Sequence, residues 1–167
     1  MADLKIALAG NPNAGKTTIF NFLTGLHQHT GNWPGKTVEK KEGEIEHDGL
    51  IINIVDLPGT YSLTAYSPEE IIARDYIIGE KPDVVINVVD ATNLERNLYL
   101  TVQLLELDVP IVLALNMSDA LQKDGTKINT ENLSQLLGNI PVVHTSANRG
   151  RGVSELISKA VKTAHRK

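Results

Sequence analysis

No cysteine occurs in the 167 residues, which excludes disulfides and thiolate metal centres and fits a reducing compartment. Long apolar runs are missing too. The runs present are strand-sized, such as Val84-Val85-Ile86 with Val88-Val89, so nothing here reads as a bilayer span. There is no excess of positive charge: 16 Lys and Arg stand against 20 Asp and Glu, a net −4. That balance argues against a nucleic-acid-binding face. Aromatic residues make up 4%, and the one tryptophan, Trp33, falls in a stretch without periodicity. Met1-Ala2-Asp3-Leu4-Lys5 has no signal-peptide pattern, and no repeat or low-complexity tract follows. The length predicts a single domain over 1–167, able to bury a full core unaided.

Gly10-Asn11-Pro12-Asn13-Ala14-Gly15-Lys16-Thr17 matches the phosphate-binding loop G-x-x-x-x-G-K-[ST]. The apolar run Leu4–Ala9 before it suits a buried strand, and Thr17-Thr18-Ile19-Phe20-Asn21-Phe22-Leu23 after it suits an amphipathic helix. Gly10 and Gly15 let the backbone curl its N–H groups toward an anion, and the helix points its positive end the same way. Lys16 supplies a point charge for the outer phosphates, and the Thr17 hydroxyl can ligate magnesium. Strand, loop and helix together predict a nucleoside triphosphate site.

Residues 26–37 carry two glycines, a proline and Trp33, and predict a long loop. His27 and His29 lack a third ligand nearby and read as solvated. A charged strand, Val38–Glu46, and an aliphatic strand, Leu50–Val55, flank Asp48-Gly49, a hairpin signal. The charged arm predicts an antiparallel edge strand. A helix starts at Pro68, with Ser67 as N-cap and Glu70 completing a capping box. Strands follow at 83–89, 111–115 and about 141–144, with helices at 93–107, 130–137 and from Val153 to Ala164. This alternation predicts a doubly wound α/β sheet that binds ligand at the carboxyl ends of its strands.

The remaining motifs stand at those ends. Asp56-Leu57-Pro58-Gly59 supplies a carboxylate for magnesium, and Gly59 an N–H free to approach the terminal phosphate. Asn116-Met117-Ser118-Asp119 decides the base, because the Asp119 carboxylate can accept from both the N1–H and the exocyclic amine of guanine. Asn116 is expected to brace this loop against the phosphate loop. The lysine usual inside this motif is absent, with Met117 and Ser118 in the middle. Ser146-Ala147-Asn148, after the last strand, suits a backbone contact to the base oxygen. Thr37 is placed to reach magnesium and phosphate together, which makes residues 26–37, with Gly35 and Lys36, a switch ordered by triphosphate. An ATP-dependent small-molecule kinase is the competing reading, but neither a catalytic base nor an arginine-rich lid stands where it needs one. Lys16, Thr37, Gly59 and Asn13 are the residues expected to carry hydrolysis. No glutamine follows Gly59; Thr60 does. An uncharged oxygen ligand at Asn13 suits a monovalent cation offsetting charge on the phosphates, although asparagine also stabilises turns.

Gly31-Asn32-Trp33-Pro34-Gly35, Thr37-Val38-Glu39-Lys40-Lys41-Glu42-Gly43, Val55–Leu63 and Asn87–Leu100 resemble the cytosolic GTPase domain of the FeoB family, prokaryotic ferrous-iron transport proteins. The resemblance extends over the whole chain. It implies a P-loop NTPase, a Ras-like G domain with a mostly parallel sheet, one antiparallel edge strand and helices on both faces. It also implies GTP and GDP binding with magnesium, slow hydrolysis, and potassium activation through Asn13. Expected partners are the family's helical domain and membrane region, with a homo-oligomer an option and no nucleic acid. The expected place is the cytoplasmic face of the cell membrane, with this piece itself soluble. A related ribosome-assembly or tRNA-modification GTPase, and a nucleotide-binding module without hydrolysis, are the alternatives.

Overall fold

Alternating apolar residues on the central strand set the architecture. In the computed structural model, which describes residues 2–166, β1 (Leu4–Gly10) sends Leu4, Ile6 and Leu8 to one side of the sheet. Ala7 and Ala9 go to the other. A strand covered on both faces must sit centrally, and the sheet order is β2-β3-β4-β1-β5-β6-β7. The remaining strands are β2 (Gln28–Asn32), β3 (Glu39–His47), β4 (Leu50–Asp56), β5 (Val84–Asp90), β6 (Ile111–Asn116) and β7 (Val142–His144). β3 runs antiparallel to both of its neighbours, and every other pairing is parallel.

Helices cover both faces. α1 (Lys16–Thr24) and α6 (Val153–Ala164) bury Ile19, Phe20, Leu156, Ile157 and Ala160 against one. α2 (Pro68–Glu80) and α3 (Leu94–Glu106) bury Ile72, Tyr76, Ile77, Leu100 and Leu104 against the other. α4 (Ser118–Lys123) and α5 (Thr130–Leu136) extend that second layer through Leu121 and Leu133 beside Leu113 and Leu115. None of the helices is long and apolar enough to cross a membrane among the described residues.

Two elements depart from the sequence reading. Residues 26–37 are not all loop: Gln28–Asn32 form β2, paired antiparallel with β3. The charged strand β3 therefore lies one place inside the sheet, and β2 is the edge. A short helix that the sequence reading did not include, α4, follows at Ser118–Lys123. The Asp48-Gly49 turn has φ of 50° and 79°, the left-handed pair that a two-residue hairpin needs. At α2, Ser67 Oγ accepts from Glu70 N at 3.1 Å as expected of an N-cap. The reciprocal half of the box is replaced, since Glu70 Oε2 accepts from Thr64 Oγ1 at 2.8 Å and Tyr66 N at 3.3 Å. Those bonds pull the Glu70 carboxyl below its ordinary range, the Thr64 hydroxyl foremost.

Candidate functional site

The phosphate loop closes because β1 ends in a glycine and α1 begins after one. A Cβ on Gly10 would stand 2.6 Å from Val88 O, and one on Gly15 (φ 94°) would stand 2.0 Å from Asn116 Nδ2. Only glycine allows β5 and Asn116 to come so near. Ala14 N donates to Asn11 O at 3.2 Å across the turn, and Asn13 adopts φ 68°. A cavity of about 310 Å³ opens there, lined by Asn11, Pro12, Asn13, Gly15, Lys16, Thr17 and Gly59.

Backbone pairing brings the second motif to the same place. Beyond β4, Leu57 N donates to Leu8 O at 3.0 Å and Thr60 N to Gly10 O at 3.1 Å. These two bonds seat Gly59 against Pro12, where a Cβ would stand 3.3 Å from Pro12 Cα. Lys16 Nζ is ion-paired with the Asp56 carboxylate, their side chains 8% and 7% exposed. A buried pair of this kind keeps both charges compensated, and each has a phosphate or cation role in the sequence reading. Thr17 and Thr18 are exposed at the start of α1, Thr17 on the cavity wall. Asp56 and Thr17 offer hard oxygen donors beside a phosphate cradle, which fits magnesium.

Asn116 ties three segments together. Its Nδ2 donates to Ala14 O at 3.0 Å, while its Oδ1 accepts from Thr145 Oγ1 at 3.0 Å and Ala147 N at 3.1 Å. Asp119 stands beside this brace. Its Oδ1 accepts from Ser146 Oγ at 3.1 Å, its own N–H donates to Ser146 Oγ at 3.1 Å, and Arg149 Nε lies 3.4 Å from Oδ2. Partial burial pushes the Asp119 carboxyl up, but the Ser146 hydroxyl, the Ala120 N–H and the Arg149 charge outweigh it and leave it below the ordinary range. Met117 caps α4 in the left-handed conformation, φ 62°, with Cε reaching the phosphate loop at Gly15. Ala147 is buried and Asn148 exposed.

Gly35, Lys36 and Thr37 are not drawn in. All three are exposed at the tip of the β2–β3 hairpin, a turn closed by Trp33 N donating to Val38 O at 2.9 Å. Trp33 itself is buried, edge-on to Tyr76 of α2 with centroids 5.6 Å apart. Sequence reading missed Thr145 and Arg149, the partners of Asn116 and Asp119. Both lie within three residues of the Ser146-Ala147 signal, so the place was marked although the roles were not. His27 and His29 are both exposed, and no cluster of three or more His, Asp or Glu able to hold a metal occurs among the described residues.

A family model described as "Ferrous iron transport protein B" matches residues 4–160. The chain belongs to the ferrous iron transport protein B family. The Fe(2+) transporter FeoB of Salmonella typhimurium is 53% identical over 160 residues, covering 93% of this chain and 21% of that protein. The Fe(2+) transport protein A/FeoB fusion of Porphyromonas gingivalis is 52% identical, covering 95% and 19%. This member thus spans about a fifth of the length of these relatives. Among solved structures, the FeoB G-domain of Methanococcus jannaschii superposes with a TM-score of 0.87 at 50% identity, covering 99% of both chains. A GDP-bound variant of the S. thermophilus NFeoB protein gives 0.91 at 53%, covering 96% of this chain and 62% of that one. The expected FeoB G-domain fold, mostly parallel with helices on both faces, is the fold observed. Membership in this family sets aside the ribosome-assembly and tRNA-modification readings.

Proposed function

We propose that this chain binds GTP and GDP with magnesium and hydrolyses GTP slowly, as the regulatory G domain of a ferrous iron transporter. The observation that carries the reading is the Asn116 brace, which holds the phosphate loop, the Asp119 loop and the Ser146-Ala147 loop in one rigid unit. With that spacing fixed, an ionised Asp119 selects guanine over adenine, since adenine offers it an N1 acceptor where guanine offers an N1–H and an amine. The GDP in the S. thermophilus relative supports the same ligand here.

Lys16 turns from Asp56 to the outer phosphates, which frees the Asp56 carboxylate. Thr17 and Asp56, joined by Thr37 from the hairpin, would hold magnesium, which supplies charge neutralisation across the phosphates. Gly59 donates its N–H to the terminal phosphate. Because Gly35, Lys36 and Thr37 stand apart from the cavity, the hairpin tip must move to complete the site. Asn13 offers an amide oxygen at the cavity wall for potassium, which would supply positive charge where the leaving group develops its own negative charge. Its left-handed φ also fits a purely conformational role. Outside this chain, the helical domain and membrane region of the transporter are the partners, at the cytoplasmic face of the membrane. Self-association is an open route for the domain.

Two measurements test the reading. Binding of fluorescent GDP, GTP and ATP should show guanine selectivity, and equal affinity for ATP and GTP would sink it. Turnover should be faster in potassium than in sodium at matched ionic strength, with the difference lost in Asn13→Ala. Equal rates in both salts for the parent rule out the potassium role, and no turnover in either salt favours a binding module without hydrolysis.

A further inference from the structure

A second polar cavity, of about 150 Å³, adjoins the phosphate cavity and shares Asn11, Pro12 and Asn13 with it. Its outer wall comes from the other side of the sheet's carboxyl edge: Tyr61 beyond the Asp56–Gly59 motif, and Asn93, Arg96 and Asn97 at the start of α3. Three independent features mark it as a place for an anion. The N-terminus of α3, a helix of 13 residues, opens on it through a 3-10 turn, Ala91–Asn93, and Asn93 makes no side-chain capping bond. The positive end of a helix favours negative charge. Arg96 is the one cation on the wall, and its guanidinium lies over the Tyr61 ring at 4.4 Å, a stacking that restrains where the charge sits. Asn11, only 4% exposed, keeps both side-chain amide atoms buried with no hydrogen-bond partner. An unpaired buried amide is costly unless something binds it.

One carboxylate, Asp90, also lines the cavity. Its Oδ1 is already committed, accepting from Thr92 N at 2.9 Å and Thr92 Oγ1 at 2.6 Å. Its other oxygen remains an acceptor on the wall, beside the Arg96 guanidinium, the Tyr61 phenol, the Asn11 amide and the helix terminus.

We propose that this cavity is the seat of inorganic phosphate on its way out of the nucleotide site, held by Arg96, the α3 N-terminus and the Asn11 amide. The inference rests on the hydrolysis reading above and extends it from substrate to product. In hydrolysis, water's oxygen bonds to the terminal phosphorus, the bond from that phosphorus to the bridging oxygen breaks, and its electron pair stays on GDP. The products are GDP, hydrogen phosphate and a proton. The departing phosphate borders Asn11, Pro12 and Asn13 on either side of the shared wall, so the second cavity is its next station. A charge-assisted fork from Arg96 is the strongest single contact available there.

The test uses the chain loaded with GDP and titrated with inorganic phosphate, followed by phosphorus NMR at constant ionic strength. Saturable phosphate binding is expected in the parent, weakened about tenfold in Arg96→Ala, with GDP affinity within about twofold of the parent because Arg96 lies outside the nucleotide motifs. Lys at the same position, Arg96→Lys, should restore part of the affinity through its charge. GDP binding without saturable phosphate binding, or equal phosphate affinity in parent and Arg96→Ala, overturns the seat alone. Failure to bind GDP at all brings down the nucleotide reading and this one with it. A repeat with the non-hydrolysable analogue GppNHp should retain phosphate binding. Loss there puts the ion in the terminal-phosphate position and overturns the proposal. In a single turnover, phosphate release should lag GTP cleavage in the parent, with the lag shortened about tenfold in Arg96→Ala. The absence of a lag in the parent overturns the assignment to product, leaving a site for phosphate from solution.

Discussion

Asp119 has a side chain only 17% exposed, yet its carboxyl is held below the ordinary aspartate value of 3.8. Burial opposes the charge, and the Ser146 hydroxyl, the Ala120 N–H and Arg149 restore it. A carboxylate with a depressed folded-state pKa contributes stability that is complete above its unfolded value. That stability is lost as pH falls through the lower folded value. Guanine affinity should therefore stay level from neutral pH down past the usual carboxylate range and fall only below it, as a titration of fluorescent GDP against pH would read. A loss beginning near pH 6 would place the titrating group elsewhere. Replacing the acceptor by a donor is the sharper test. Asp119→Asn should cost about 100-fold or more in GTP affinity and gain xanthosine triphosphate, measured by competition. Asn116 was legible as a brace because its side chain has to reach backbone that the motif spacing already located. Arg149 was not, because a lone exposed arginine carries no pattern.

At the scale of elements, what was readable followed from backbone demands. Gly10 and Gly15 are required by close approach, Asp48-Gly49 by a left-handed turn, and Ser67-Pro68 by a helix start. β2 escaped because Gln28-His29-Thr30-Gly31-Asn32 has no apolar alternation; four of its five residues are exposed and its backbone alone makes the ladder. α4 escaped because it is six residues long and begins inside the Asn116–Asp119 motif, on a left-handed Met117. The hairpin of β2 and β3 is the element on which the proposed mechanism depends. The base of its turn is fixed by Trp33, packed against Tyr76 with Lys40 Nζ 4.9 Å over the ring, while Gly35, Lys36 and Thr37 beyond it are exposed. Trp33→Ala should cost about 3–5 kcal/mol of stability, the range for deleting a buried large aromatic, measured by urea denaturation. A change under about 1 kcal/mol would show that the indole anchors nothing. Thr37→Ala should leave GDP affinity within about twofold, since the tip lies off the cavity, and slow turnover by at least about tenfold. Equal losses in GDP affinity and turnover would mean that Thr37 already belongs to the resting nucleotide site.

For the molecule as a whole, the candidate site is a set of loops at the carboxyl edge of the sheet, with those of β1, β6 and β7 fastened by Asn116 and that of β4 by Thr60 N to Gly10 O. Helices from both faces end on it, so a nucleotide that fits must clamp the two layers together. Nothing in the unfolded chain preserves that arrangement, and ligand that binds only the folded state stabilises it by mass action. At a GDP concentration one hundred times its dissociation constant, the gain is about 2.7 kcal/mol. For a domain of this size each kcal/mol moves the midpoint by about 2–4 °C, so GDP with magnesium should raise Tm by roughly 5–10 °C. ATP at the same concentration should raise it by less than about 2 °C, because discrimination of about 100-fold by the proposed base loop leaves only about 0.4 kcal/mol of stabilisation. Differential scanning fluorimetry in the two nucleotides reads both numbers in one experiment. Matching shifts from ATP and GDP would mean that the phosphates alone close the sheet's edge and that the Asp119 loop plays no part in the clamp. A GDP shift that survives Asp119→Asn undiminished would say the same from the protein's side.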